Sequence, residues 1–213
     1  MTRIKSGLVL FCGLILSGCQ APAPYDYSAI QASKPRSILV IPPLNETVEV
    51  NAPYTFLSTI SKPLAEKGYY VFPVAVIDNF MKENGLPTPE EMNAVPLGKL
   101  REIIGPDAVL YVNIREWGQK YQIVTSTAVT RAYLKLIDAR TGGLLWDAEA
   151  YAVQSSNDNS GGVIGLLVSA LANQIIGSMA DQTKDLSTIG NTTAINDQQR
   201  GLPEGPYSKV APL

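Results

Sequence analysis

The stretch AVLYVNIREW, Ala108 to Trp117, decides the fold. Its even positions through Ile114 are Ala108, Leu110, Val112 and Ile114, and its odd positions include Tyr111, Asn113 and Arg115. Period two over this length predicts a strand with one buried face. Tyr121 to Asp138, rich in Val, Thr, Ile and Tyr, predicts a second long strand, and Leu144 to Val153 a third. Ala139-Arg140-Thr141-Gly142-Gly143 joins the last two, with glycines where a tight turn needs positive φ. The three strands together predict a β-meander. An even register in the last hairpin sets Leu136 opposite Trp146 and Leu134 opposite Ala148 on one face, and Lys135 opposite Asp147 on the other. Such pairs contribute about 0.2 to 1 kcal/mol each. They would give Asp147 and Glu149 structural partners in Lys135 and Arg131.

Toward the amino terminus the pattern alternates strand and helix. Ser37-Ile38-Leu39-Val40-Ile41, stopped by Pro42 and Pro43, is apolar on both faces and predicts an interior strand covered on both sides. Asn51 offers an N-cap with Pro53 just inside, and Tyr54 to Lys67 reads as a helix ending at Gly68, kinked or shortened by Pro63. Tyr69 to Phe72 is a short strand ended by Pro73, and Val74 to Asn84 a helix stopped at Gly85. Thr88-Pro89-Glu90-Glu91 is a capping box with proline at its first helical position. A further turn or two, Leu97 to Ile104, closes at Gly105-Pro106.

Beyond the meander, residues 161–180 (GGVIGLLVSALANQIIGSMA) carry no charge. Gly165, Ser169, Asn173 and Gly177 recur every four residues and form a small or polar stripe opposite Val163, Leu166, Leu167, Leu171 and Ile175. Three readings fit: a helix packed on the sheet, an interface helix along whose stripe two copies meet, and a membrane span. Ser169, Asn173, Gln174 and Ser178 weigh against the span. Residues 185–213 are polar with isolated apolar residues and are expected to be a disordered tail. The fold class that results is α/β (α+β): a mixed five-stranded sheet, order β-α-β-α-β-β-β-α, with helices packed on it. It forms a single domain over residues 36–184.

The chain begins with a different signal. In MTRIKSGLVLFCGLILSGCQ, Arg3 and Lys5 precede an uncharged apolar run from Gly7 to Leu16. That run is about ten residues, and a membrane-spanning helix needs about 20. Residues 1–18 therefore read as a secretory signal. Leu16-Ser17-Gly18-Cys19 resembles the lipobox of bacterial lipoproteins, in which a diacylglyceryl group joins the cysteine thiol before the peptide bond on its amino side is cut. Residues 19–35 then read as a lipidated cysteine and a tether carrying Pro22, Pro24 and Pro35, with a reach on the order of 20 Å. Two or more acyl chains give stable anchoring where one is marginal.

The sequence holds 17 Lys and Arg against 19 Asp and Glu. Removing Arg3 and Lys5 with the signal leaves about −4, and no basic cluster favours nucleic acid. Histidine is absent, which removes the usual general base at neutral pH, the commonest metal ligand and every Ser-His or Cys-His arrangement. Cys12 lies in the signal and Cys19 would carry lipid, so no thiol is left for a disulfide or a metal. No cofactor is expected beyond covalent lipid on Cys19.

With the order of elements in view, the chain resembles a family of bacterial lipoproteins of unassigned function known from a neisserial genome-derived antigen. The likeness rests on the lipobox, Ile38-Leu39-Val40-Ile41-Pro42-Pro43, Gly105-Pro106-Asp107-Ala108-Val109-Leu110-Tyr111, Glu116-Trp117-Gly118, and Asp138-Ala139-Arg140-Thr141-Gly142-Gly143 with Trp146. The order of elements is also similar to the amino-terminal domain of TolB and to the periplasmic part of CsgG-type secretion lipoproteins. The resemblance implies a mixed sheet backed by helices and an accessory role in transport or envelope assembly at the outer membrane. It supplies no catalytic residues. CsgG-like channels need long barrel-lining hairpins, and no loop here is long enough to hold extra ones.

The remaining chemistry is sparse. Gly161-Gly162-Val163-Ile164-Gly165 offers N–H groups to an anion but lacks the lysine and hydroxyl of a P-loop. Asp107, Glu116, Asp138, Asp147 and Glu149 are the carboxylates from which a glycoside hydrolase would draw a pair, but strand ends and solvated faces account for them without catalysis. Trp117 and Trp146 suit either a core or a binding patch. The expectation is an outer-membrane-anchored periplasmic lipoprotein without enzymatic activity, sorted outward because Gln20 follows the cysteine. It would serve as a subunit of an envelope or transport complex and associate as a dimer. The alternative is a periplasmic lipoprotein that binds a small ligand.

Overall fold

A computed structural model of the chain describes residues 24–121, 126–155 and 179–209. The signal, the lipobox with Cys19, the Gly161–Gly165 segment and the stripe Gly165, Ser169, Asn173 and Gly177 lie outside these residues. The elements are α1 (Ser28–Ser33), β1 (Ser37–Val40), β2 (Leu44–Asn45), α2 (Ala52–Glu66), β3 (Tyr70–Val71), α3 (Val74–Glu83), α4 (Pro89–Asn93), α5 (Leu97–Ile103), β4 (Ala108–Tyr121), β5 (Ser126–Asp138), β6 (Leu144–Ser155) and α6 (Met179–Asn196). They form a mixed sheet of order β3-β1-β4-β5-β6, with the two-residue β2 pairing with β4 as a sixth strand. The β1 pairings with β3 and β4 are parallel, and β4-β5-β6 is the antiparallel meander.

Strand β1 is buried on both faces, as its unbroken apolar run requires. Ile38 and Val40 point into a core with Phe56, Ile60 and Leu64 of α2 and Ile195 of α6. Leu39 and the following Ile41 point the other way, into a second cluster with Ile77 and Met81 of α3, Met92 of α4 and Leu100 of α5. Helices α2 and α6 thus cover one face along the meander. Helices α3 to α5 cover the other face only as far as β1 and the start of β4.

Local signals are realised unevenly. Thr88 and Glu91 form the reciprocal capping box, and Gly85, Gly105 and Gly142 hold positive φ at the predicted stops and turn. Asn51 makes no side-chain cap; the Ala52 N–H is satisfied instead by the Glu49 carbonyl. Pro63 is accommodated within α2, which continues to Glu66.

Strand β4 departs from simple alternation. The register with β5 shifts between Ile114 and Glu116, so Arg115 is a bulge residue. Parity therefore inverts: Ile114 faces the core, Glu116 faces out opposite Arg131, and Trp117 turns back against the core. The strand then continues to Tyr121, and β5 starts at Ser126 rather than at Tyr121 as the composition suggested.

Two boundary expectations are overturned. The tether does not extend to residue 35, because α1 buries Ile30 and the Tyr27 hydroxyl donates to the Gly201 carbonyl at 2.8 Å. The disordered tail expected over residues 185–213 is overturned for residues 185–209, since α6 runs to Asn196 and the segment after it is pinned across the domain. Thr183, Leu186, Ser187, Gly190, Asn191, Ala194 and Ile195 are buried at alternating three- and one-residue steps, the spacing of one helix face. That face is small and polar rather than greasy. It packs because Gly190 lets the helix approach the β6 backbone at Tyr151, where an added Cβ would lie 3.3 Å from its N and C atoms. Beyond it, Leu202 is buried, Gly205 N–H donates to Lys67 O, and Tyr207 N–H donates to Gly68 O.

Candidate functional site

Among the described residues no helix covers the outer face of the meander beyond the start of β4, and its side chains are set by strand parity. From β4 it receives Tyr111, Asn113 and, through the bulge, Glu116; from β5 Lys135, Tyr133 and Arg131; from β6 Asp147, Glu149 and Tyr151. The register places Tyr111 beside Lys135, Tyr133 between Asn113 and Glu149, and Arg131 between Glu116 and Tyr151. The three tyrosines therefore step diagonally across the three strands. Together with Leu44, Asn93 and Arg200 at its margins, much of this face lines an open depression of about 690 Å³.

Most of its charges are paired on the face or at its margin. Arg131 lies between Glu116 (Nε to Oε1, 2.9 Å) and Glu149 (Nη1 to Oε1, 2.6 Å), with its guanidinium 4.3 Å from the Tyr151 ring centre. Burial opposes the Arg131 charge, but Glu149, the Tyr133 hydrogen bond and Glu116 outweigh it and raise the pKa. Arg115 pairs with Glu46, whose other oxygen accepts from Asn113 at 3.0 Å. Burial pushes the Tyr111 hydroxyl above its ordinary pKa.

At the β6 edge, Asp147 is held by two segments remote in sequence. Its carboxylate accepts from the Tyr25 hydroxyl at 2.8 Å and pairs with Arg200; its N–H donates to the Tyr25 oxygen at 3.0 Å, and its carbonyl accepts from Arg200 Nε at 3.1 Å. The edge strand's free backbone groups at this position are thus satisfied, which blocks pairing there. Asp147 does sit opposite Lys135 as the register required, but its charge partner is Arg200.

The carboxylates that could have served hydrolysis are committed to structure. Asp107 accepts from the backbone N–H groups of Arg36 and Ser37 and from the Ser37 hydroxyl. Asp138 accepts from Ser33 and from the N–H groups of Arg140 and Thr141, which shapes the hairpin turn. Trp146 is core, its Nε1 donating to Arg200 O at 2.8 Å, and Trp117 is partly buried against the same core. Among the described residues no cluster of three or more His, Cys, Asp or Glu could hold a metal ion, and no helix is long and apolar enough to cross a membrane. The diagonal tyrosines went unread in the sequence although their outward parity was visible; Tyr25 and Arg200 carried no local signal at all.

Fold and site define an α+β domain whose meander presents one open, aromatic and charge-balanced face. The chain belongs to the family described as "Putative lipoprotein GNA1162-like", whose model matches residues 25–207. It is 41% identical over 196 residues to "Putative lipoprotein NMB1124/NMB1162" of Neisseria meningitidis serogroup B, covering 91% of each chain. The crystal structure of lipoprotein GNA1162 from Neisseria meningitidis superimposes with a TM-score of 0.56 at 38% identity, covering 71% of this chain and 99% of that one. The matched span begins at Tyr25 and ends at Tyr207, the segments pinned to β6 and to Gly68.

Proposed function

We propose that this chain is an outer-membrane-anchored periplasmic lipoprotein, lipidated on Cys19, that acts without catalysis as an accessory or assembly subunit of a transport or envelope complex. The observation that carries the reading is the open face of β4-β5-β6. It is broad and shallow, lined by tyrosines and paired charges, and its carboxylates are already bound by structural partners. Tyrosine and arginine in the middle of a surface patch are the residue types that anchor protein contacts. A small-ligand pocket is typically concave, mostly apolar and encloses most of its ligand, so the ligand-binding alternative finds less support here. Membership in a lipoprotein family supports the anchor. Self-association along Gly165, Ser169, Asn173 and Gly177 belongs to the same reading; an unchanged mass of the Gly165→Leu variant in sedimentation would count against it.

The test is site-specific photocrosslinking in intact cells. A photoreactive residue at Tyr133 should give a discrete adduct with one envelope protein, and one at Val76, exposed on α3 away from the meander, should not. Equal labelling from both sites, or a thermal shift with a small envelope metabolite and no adduct, would favour the alternative.

A further inference from the structure

We infer that the β6 edge of the domain faces the bilayer and the β3 edge faces away, so that the open face of the meander works beside the lipid surface. This rests on the proposed anchor at Cys19 and adds an orientation to it. The observation is the length of chain between Cys19 and the first pinned residue. Tyr25 is fixed to Asp147 by two hydrogen bonds and lies 4.9 Å, ring centre to ring centre, from Tyr27, which is bonded to Gly201. Six Cα steps separate Cys19 from Tyr25, at most about 21 Å when fully extended. A domain of this length has a radius of gyration of about 16 Å and hence a diameter of about 40 Å. A leash about half the diameter cannot let the attachment point swing to the far side. Tyr25 must therefore stay in the hemisphere nearest the lipid.

The surface at that point suits a headgroup layer. Tyr25, Tyr27 and Arg200 share it, Arg200 lying 5.0 Å from the Tyr25 ring centre, and aromatic and arginine side chains are at home at that depth. Asp26 and Asp197 are exposed alongside and, with Asp147, outnumber Arg200, so the edge is mildly negative and it is the short leash, not attraction to anionic headgroups, that holds it near the lipid. Asp147 and Arg200 also line the open depression, which therefore opens next to the membrane. Strand β3 lies four strand spacings away, roughly 19 Å, with Tyr70 and, on α3, Val76 exposed. A partner that docks on the meander would then bind within reach of the bilayer.

The test uses the mature lipidated protein in vesicles of phosphatidylethanolamine and phosphatidylglycerol, and again in phosphatidylcholine. Gln198→Cys, Tyr70→Cys and Val76→Cys carry a fluorophore, and a headgroup nitroxide lipid quenches it. Quenching several-fold stronger at 198 than at 70 or 76, in both lipids, is expected. Ten Gly/Ser residues inserted after Gln20 should bring the ratio toward one. Equal or reversed quenching in protein that floats with the vesicles would overturn the orientation alone. Protein of unlipidated mass that does not float would overturn the anchor and the orientation together.

Discussion

Tyr25 and Asp147, 122 positions apart, exchange two hydrogen bonds: the tyrosine hydroxyl donates to Oδ1 at 2.8 Å and its oxygen accepts from the Asp147 N–H at 3.0 Å. Burial and the hydrogen bond to Asp147 both raise the Tyr25 pKa. The contact fastens the amino-terminal segment to the meander's free edge. It also sets how much chain is left to reach a membrane. Tyr25→Phe removes both bonds and leaves a carboxylate and an edge N–H short of a partner, and should cost about 1 to 3 kcal/mol. Urea unfolding checks this, with Tyr54→Phe, remote from the edge, as a control that should change little.

The carboxyl-terminal segment should behave as core. Leu202→Ala is expected to cost about 2 to 4 kcal/mol. Gly205→Ala would place a Cβ 2.5 Å from Gly68 O and should cost about 1 to 3 kcal/mol as an overpacked contact. A chain ended after Asn196 should lose stability further, because Trp146 Nε1 and Tyr27 lose the Arg200 and Gly201 carbonyls. Unchanged urea midpoints in these variants would mark the segment as dispensable.

Acid sensitivity should centre on Asp138. Burial raises its pKa, but hydrogen bonds from Ser33, from the backbone of Thr141 and Arg140 and from the Thr141 side chain outweigh that and hold it below the ordinary value. As pH falls the unfolded chain takes up this proton first. The contribution is therefore whole above the ordinary aspartate value of about 3.9 and is lost as pH drops through the lower folded value. Ser33→Ala should shrink that loss, and Asp138→Asn should abolish it while lowering stability at neutral pH. Unfolding free energies between pH 5 and pH 2 read both.

The seam between α2 and α6 is polar. Thr59 and Ser187 share a hydrogen bond of 2.8 Å, and Asn191 Nδ2 donates to Thr59 Oγ1 at 2.9 Å. Thr59→Val strips Asn191 of that acceptor and should cost about 1 to 3 kcal/mol. Thr59→Val combined with Ser187→Ala and Asn191→Leu should recover part of this, because the whole polar set is then replaced. A triple variant no more stable than Thr59→Val alone would contradict that account.

The parts of this fold that could be read in the sequence are those whose signal is local. The two-sided burial of Ile38 to Ile41, the capping box at Thr88 and Glu91, and the Leu136 to Trp146 register each follow from neighbouring residues or one turn. The bulge at Arg115 does not, since it shows only when β4 and β5 are laid together. Helix α6 was hidden because its buried face is built from Ser187, Gly190 and Asn191, residue types that composition assigns to loops. The candidate site was half visible. Parity turned Tyr111, Tyr133 and Tyr151 outward, but which helices would leave them uncovered is a matter of tertiary packing. Tyr25 and Arg200 reach Asp147 from opposite ends of the chain, and nothing near either residue announces it.

The most direct measurement of the central claim is intact mass and amino-terminal peptide mass of the mature protein from its native host, with sucrose-gradient fractionation of the envelope. The account predicts a chain beginning at Cys19, heavier by a diacylglyceryl group and further acyl carbon, in the outer-membrane fraction. An unmodified Cys19 thiol in protein recovered from the soluble periplasmic extract would contradict it.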